Sequence, residues 1–169
     1  MPNKGVPESR ALDALAQEAV RLGDDEEVRA ILRQLCDVTQ MGFGAVARVT
    51  DKRWIVVQVL DKIEFGLNPG EELELKTTIC DEIRQDGNRV IIDDVDGNID
   101  WQTHHTPMMY GFKSYVSFPL FGPDGAFFGT LCAIDPVRRT LSTRETVAAI
   151  DALARRAEAV LATRGAFGG

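Results

Sequence analysis

Apolar residues at Leu12, Leu15, Ala16, Ala19 and Val20 recur every three or four positions, the spacing that gathers side chains on one side of an α-helix. The pattern predicts an amphipathic helix over 9–22, ended by Gly23. The acidic run DDEE at 24–27 suits the positive end of a second helix, whose Val28, Ile31, Leu32, Leu35 and Cys36 form one face and which stops near Gln40.

Beyond Gln40 the period shortens toward two. Gly42 and Gly44 introduce a strand over 45–50, DKR at 51–53 makes a turn, and the β-branched, aromatic-flanked run 54–60 returns, so the three pieces predict a hairpin. Residues 65–70, with Asn-Pro-Gly at their end, predict a loop; 77–85 predict a short helix closed near Gly87; 89–92 resume strand. From 93 to 111 the chain is polar and aperiodic, a long excursion with room for at most a short helix. Two strands follow, 114–121 and 127–134, joined by GPDG at 122–125, a strong turn signal. Ser142 and Glu145 have the spacing of a capping box, in which the serine hydroxyl takes a backbone N–H and the glutamate reaches back. The helix they open carries Val147, Ile150, Leu153, Ala154, Ala157, Val160 and Leu161 on one face. Tight turns between strands make antiparallel pairs, so the plan is α+β with an antiparallel sheet.

The strand YVSFPLF at 115–121, the turn PDG at 123–125 and the strand GTLCAID at 129–135 together resemble the end of a GAF domain. TTIC at 77–80 and VIIDD at 90–94 resemble the middle of GAF domains from bacterial sensor histidine kinases and diguanylate cyclases. The resemblance covers roughly residues 24–162. It implies a PAS-like fold: a central sheet of five or six antiparallel strands, terminal helices on one face, and a ligand cavity on the other, roofed by the excursion. It also implies dimerisation through the terminal helices. The expected division is a tail and helix over 1–23, the GAF domain over 24–163 and a flexible tail over 164–169.

Composition narrows the partners. A formal charge of -7 disfavours nucleic acid and anionic membrane, both of which are held by basic patches. No apolar run approaches the roughly 18 residues of a spanning helix, and the polar start MPNKGVPESR lacks the apolar stretch of a signal peptide, so the expected location is cytoplasmic. Cys36, Cys80 and Cys132 are odd in number, widely spaced and without CxxC spacing, which favours reduced, buried thiols over a disulfide framework or zinc site.

The only histidines, His104 and His105, sit in the excursion near Trp101, Met108, Met109 and Tyr110. Adjacent side chains diverge, so a pocket roof is a better reading than a metal site, and exposed loop residues are the plain alternative. The acidic run from Asp93 to Asp100 places Ile99 and His105 where a calcium loop needs glycine and glutamate, so it reads as a solvated turn. Cys80 opens a helix, where the dipole favours a thiolate, but Asp81 and Glu82 oppose it, and burial is the expectation. Cys132 shares a strand side with Thr130 and Ile134 and is expected in the core with Phe118, Leu120 and Leu131.

Together these features predict a non-enzymatic sensory module that binds an unidentified small molecule and signals through paired helices to a kinase or cyclase output domain. The candidate cavity residues are Trp54, Phe65, Trp101, His104, Met109, Tyr115 and Ser117. No covalent bilin is expected in the excursion, where such domains carry a cysteine beside a histidine and this chain has Thr103. The alternatives are a ligand-free dimerisation module, a noncovalent tetrapyrrole sensor and a free methionine sulfoxide reductase.

Overall fold

The computed structural model describes residues 12–75, 78–97 and 111–167. Helices α1 (Ala14–Gly23) and α2 (Glu26–Thr39) come first, followed by strands β1 (Phe43–Val49), β2 (Trp54–Asp61) and β3 (Glu72–Leu73). Helix α3 (Cys80–Asp86), strand β4 (Val90–Ile92) and a 3-10 turn at Val95–Gly97 precede β5 (Ser114–Phe121), β6 (Phe127–Asp135) and helix α4 (Arg144–Thr163). The strands form one six-stranded sheet in the order β3-β2-β1-β6-β5-β4, with every pair antiparallel.

The helices start where side chains satisfy their first amides. Asp13 accepts from Ala16 N at 3.0 Å, and Asp25 accepts from Glu27 N and Val28 N at 2.8 and 3.2 Å. The capping box at 142–145 is corrected by the structure. Thr143, one residue later than expected, caps α4 through Thr146 N at 3.2 Å, while Ser142 Oγ turns away to donate to Asp93 Oδ1 at 2.7 Å. The competing carboxylate drew the serine off the helix. β3 escaped the sequence reading because it is two residues long; Arg53 holds it through Nε and Nη2 bonds of 2.8 and 2.7 Å to Glu72. The short helix starts at Cys80, later than the 77–85 pattern suggested, and closes on left-handed Gly87 as expected.

Strand alternation divides the core in two. On one face α1, α2 and α4 cover Val46, Ile55, Val57, Val116, Phe118, Leu120, Leu131 and Ala133. On the other face Phe43, Ala45, Trp54, Val56, Tyr115, Cys132 and Ile134 meet α3 through Ile79, Cys80 and Ile83. A bulge where β1 passes Val57 lets Val57 and Gln58 both face the helices, Gln58 bonding Gly23 O at 2.9 Å, and returns Val59 to the opposite face.

Asp135, the acid that ends the GTLCAID strand, is 2% exposed and works on backbone. Its carboxylate accepts from Gly42 N and Val137 N, both at 2.8 Å, fixing the start of β1 and the exit of β6. Ala166 and Phe167 pack against the helix-side core, and the Phe167 ring meets Phe128 edge-on at 5.7 Å.

Gly129 lies where β1 and β6 approach too closely for any side chain: a Cβ there would sit 1.8 Å from the Ala47 carbonyl oxygen. Gly129→Ala must push the two central strands apart and is expected to cost roughly 3 kcal/mol, read as a lowered midpoint of thermal or urea unfolding. A midpoint equal to that of the parent would refute this account of the glycine.

Candidate functional site

The face of the sheet that meets α3 holds a small cavity. Thr130, Cys132 and Ile134 alternate along β6 toward this face, and Tyr115 and Ser117 do so on β5, where Ser117 stands opposite Cys132 and Tyr115 opposite Ile134. Trp54 arrives from the start of β2 and Phe43 from β1. Phe65 is set by its own loop: Asp61 at the end of β2 accepts from Ile63 N, Phe65 N and Gly66 N at 3.2, 3.0 and 2.9 Å. That carboxylate gathers three amides of a segment without secondary structure and turns the Phe65 ring against Phe43, with centroids 5.0 Å apart. Phe112 stacks on Tyr115 at 5.2 Å, and Thr78 and Ile79, leading into α3, close the space together with Cys80 at its start.

The cavity measures about 50 Å³. One water takes about 30 Å³ of liquid and organic ligand sites run from about 300 Å³, so its side chains nearly fill it. Its walls are almost entirely apolar, and hydroxyls gather around one atom, the Cys80 sulfur. Thr130 Oγ1 lies 3.2 Å from Cys80 Sγ, Tyr115 Oη 3.5 Å and Ser117 Oγ 3.7 Å. The Trp54 indole N–H is buried without an acceptor in hydrogen-bond geometry, yet it is near enough to the sulfur to favour its charge.

These neighbours decide where the charge sits. The Cys132 thiol beside it is the largest influence and lowers the Cys80 pKa to about 6, against burial, with Thr130, Tyr115 and Trp54 acting in the same direction. Cys132 is pushed well up by that same partner and by burial, so the pair loses its first proton from Cys80 while Cys132 keeps its own. Burial and then the Cys80 charge hold the Tyr115 phenol well above its usual value, leaving it able to donate. Cys36, on the helix face, is pushed up to about 11, mainly by burial. Among the described residues no three metal-binding side chains converge.

The sequence profile of the GAF domain family matches residues 25–161. The chain belongs to the GAF domain family. Solved structures agree with this at the level of the fold. A GAF domain from an Acinetobacter phosphoenolpyruvate-protein phosphotransferase superposes with a TM-score of 0.63 at 16% identity, covering 92% of each chain. A region of a methyl-accepting chemotaxis protein gives 0.64 at 20% identity, covering 92% of this chain and 99% of that one. A type II free methionine-R-sulfoxide reductase from Thermoplasma acidophilum gives 0.63 at 12% identity, covering 88% and 96%. No curated protein matches the chain.

Of the residues proposed from sequence for a ligand site in this GAF domain, Trp54, Phe65 and Tyr115 line the cavity. Ser117 stands behind it, reaching Cys80. Trp101, His104 and Met109 lie outside the described residues. Cys132 is buried in a core as expected, but in the cluster that lines the cavity, whereas Phe118, Leu120 and Leu131, with which it was grouped, point into the helix-side core. Cys80 is buried as expected, but the unfavourable Asp81 and Glu82 do not set its charge, because its surroundings come from β5, β6 and β2. The cluster left a faint trace in the sequence, Tyr115, Ser117, Thr130 and Cys132 at period two on adjacent strands. For Cys80 the sequence offered only its place at the opening of a short helix.

As pH rises, Cys80 ionises first, so the ultraviolet absorbance of thiolate in the folded GAF domain is expected to increase through a midpoint near pH 6. A further rise from Cys36 belongs near pH 11. Cys80→Ser should remove the first step and leave the second; a native protein with no thiolate step below about pH 8 refutes the assignment.

Proposed function

We propose that this GAF domain is a sensory and regulatory module: a small molecule enters the cavity beneath α3, and the resulting shift of the sheet changes how the terminal helices pair with those of a second copy. The single observation behind this reading is the division of the molecule. One sheet face carries a cavity with a buried polar centre, and the other carries a helix layer with no part in it. The chemotaxis-protein neighbour fits such a role. The regulatory unit is taken as residues 24–163, acting on a kinase-type or cyclase-type output from the cytoplasm.

A path between the two faces exists in β5. Its Tyr115 lines the cavity, its Ser117 reaches Cys80 from behind it, and its far end is tied to α4, where Glu158 Oε2 accepts from Phe121 N at 2.7 Å and Arg155 Nη2 donates to Pro119 O at 3.3 Å. Movement of β5 therefore reaches α4 through two bonds that differ from the apolar packing around them. A ligand acts through them only by binding the two arrangements with different affinity.

The small cavity favours a second reading, a ligand-free dimerisation module whose interior is filled by its own side chains. Free methionine sulfoxide reduction gains the neighbouring Cys80 and Cys132 in its favour but must fit a whole amino acid into about 50 Å³. A noncovalent tetrapyrrole faces a larger mismatch still. Native mass spectrometry of the gently purified chain separates these readings. A dimer carrying an extra mass, with the mass lost in Cys132→Leu, is expected; saturation at a hundredfold over Kd should raise stability by about 2.7 kcal/mol. An empty dimer counts against a stably retained ligand and favours the module reading, and a monomer at micromolar concentration sinks the helix-pairing mechanism.

A further inference from the structure

Cys80 and Cys132 lie on different elements, α3 and β6, yet both reach the same cavity wall, and both are free. We propose that they form an oxidation site for a small neutral hydroperoxide, of which hydrogen peroxide is the simplest, with Cys80 as the attacking sulfur and Cys132 as the resolving one. The inference rests on reading the cavity as the input site of the domain, and it names the chemistry of the input.

Three observations carry it. Three hydroxyls, each able to donate, lie around the Cys80 sulfur at 3.2, 3.5 and 3.7 Å, an arrangement that can satisfy an anionic sulfur more fully than a neutral thiol, which has one hydrogen to share. Trp54 lines this cavity, is 3% exposed, and its buried N–H has no acceptor, so a donor is available near the sulfur for an oxygen atom. A cavity of about 50 Å³ admits a molecule of one or two oxygens and refuses a tripeptide disulfide. The lowered Cys80 pKa and the raised Cys132 pKa distribute the roles in the same way.

The Cys80 thiolate attacks one peroxide oxygen, the O–O bond breaks, and its electron pair leaves on the other oxygen as hydroxide or alkoxide. Cys132 gives its proton to that leaving group, which departs as water or alcohol. The Cys132 thiolate then attacks the Cys80 sulfenic acid, the S–O bond breaks, and the expelled hydroxide takes a proton from solvent. The two sulfurs lose two electrons and the peroxide gains them. Since Cys80 is the first residue of α3 and Cys132 is central in the sheet, the new bond fastens α3 to β6, the wall to the floor.

The reduced chain is treated at neutral pH with a few equivalents of hydrogen peroxide, and in parallel with glutathione disulfide, then unfolded in iodoacetamide and mapped by mass spectrometry. Peroxide should join Cys80 to Cys132 while Cys36 is alkylated, with Cys80 consumed at least about tenfold faster than Cys36. Glutathione disulfide should leave all three cysteines alkylated. Cys132→Ser should stop at a Cys80 sulfenic acid trapped by dimedone on unfolding, and Cys80→Ser should leave Cys132 reduced. Oxidation of Cys36 before Cys80, or equal reaction with glutathione disulfide, overturns the proposal. The comparison within the unsubstituted chain decides the matter even where a variant does not fold. A chain that stays reduced but gains stability from another small molecule refutes the oxidation site and keeps the sensor; disulfide formation that leaves the helix pairing unchanged does the reverse.

Discussion

Everything in this domain depends on β6 being buried on both sides. Eight of its nine residues, all but Phe127, are buried, and the sheet passes through it between β1 and β5. A strand with two covered faces must divide its side chains between two cores by alternation alone. Leu131 and Ala133 go to the helices, while Thr130, Cys132 and Ile134 go to the cavity. A slip of one residue would put Thr130 and Cys132 under α2 and α4 and leave the cavity lined by Leu131 and Ala133. Gly129 and Asp135 fix the register at the two ends, one by allowing close approach to Ala47 and the other by accepting backbone amides from both sides of the strand.

The scaffold was legible in the sequence because its signals are local. Helical spacing in α1, α2 and α4, the GPDG turn and the left-handed glycine after α3 all act within a few residues, and the structure keeps each of them. Failures came where a distant group entered. Ser142 abandons its capping position for Asp93, which lies 49 residues earlier, and the two-residue β3 exists through Arg53, 19 residues before its Glu72 partner.

The candidate site was legible only as a side of a strand. Alternation assigns Tyr115 and Ser117 to one face, but whether that face is core or cavity depends on what covers it. α3 covers it, and seven residues are too few for the spacing of apolar positions to say which way so small a helix turns. Cys80 illustrates the limit. Its sequence neighbours Asp81 and Glu82 argue for a neutral thiol, whereas Thr130, Tyr115 and Ser117, 35 to 50 residues away, are the groups within reach of the sulfur. Electrostatics inside a fold follow distance in space, and the low dielectric around a fully covered sulfur makes those contacts count for more than charges pointing into water.

A buried polar cluster of this kind is expensive to keep in a structural role. Apolar residues of the same shape would fill the space under α3 without the desolvation cost of a thiol, a phenol, two hydroxyls and an unpaired indole N–H. The helix-side core of the same protein takes that simpler course, with Phe118, Ile31, Leu32, Leu35, Leu131 and Ile150 among its largest buried side chains. The contrast between two cores on one sheet separates structure from chemistry more sharply than any single residue does. The apolar side holds the fold together, and β5, which has residues in both, runs from Tyr115 beside the sulfur to Phe121, whose amide is held by Glu158 of α4.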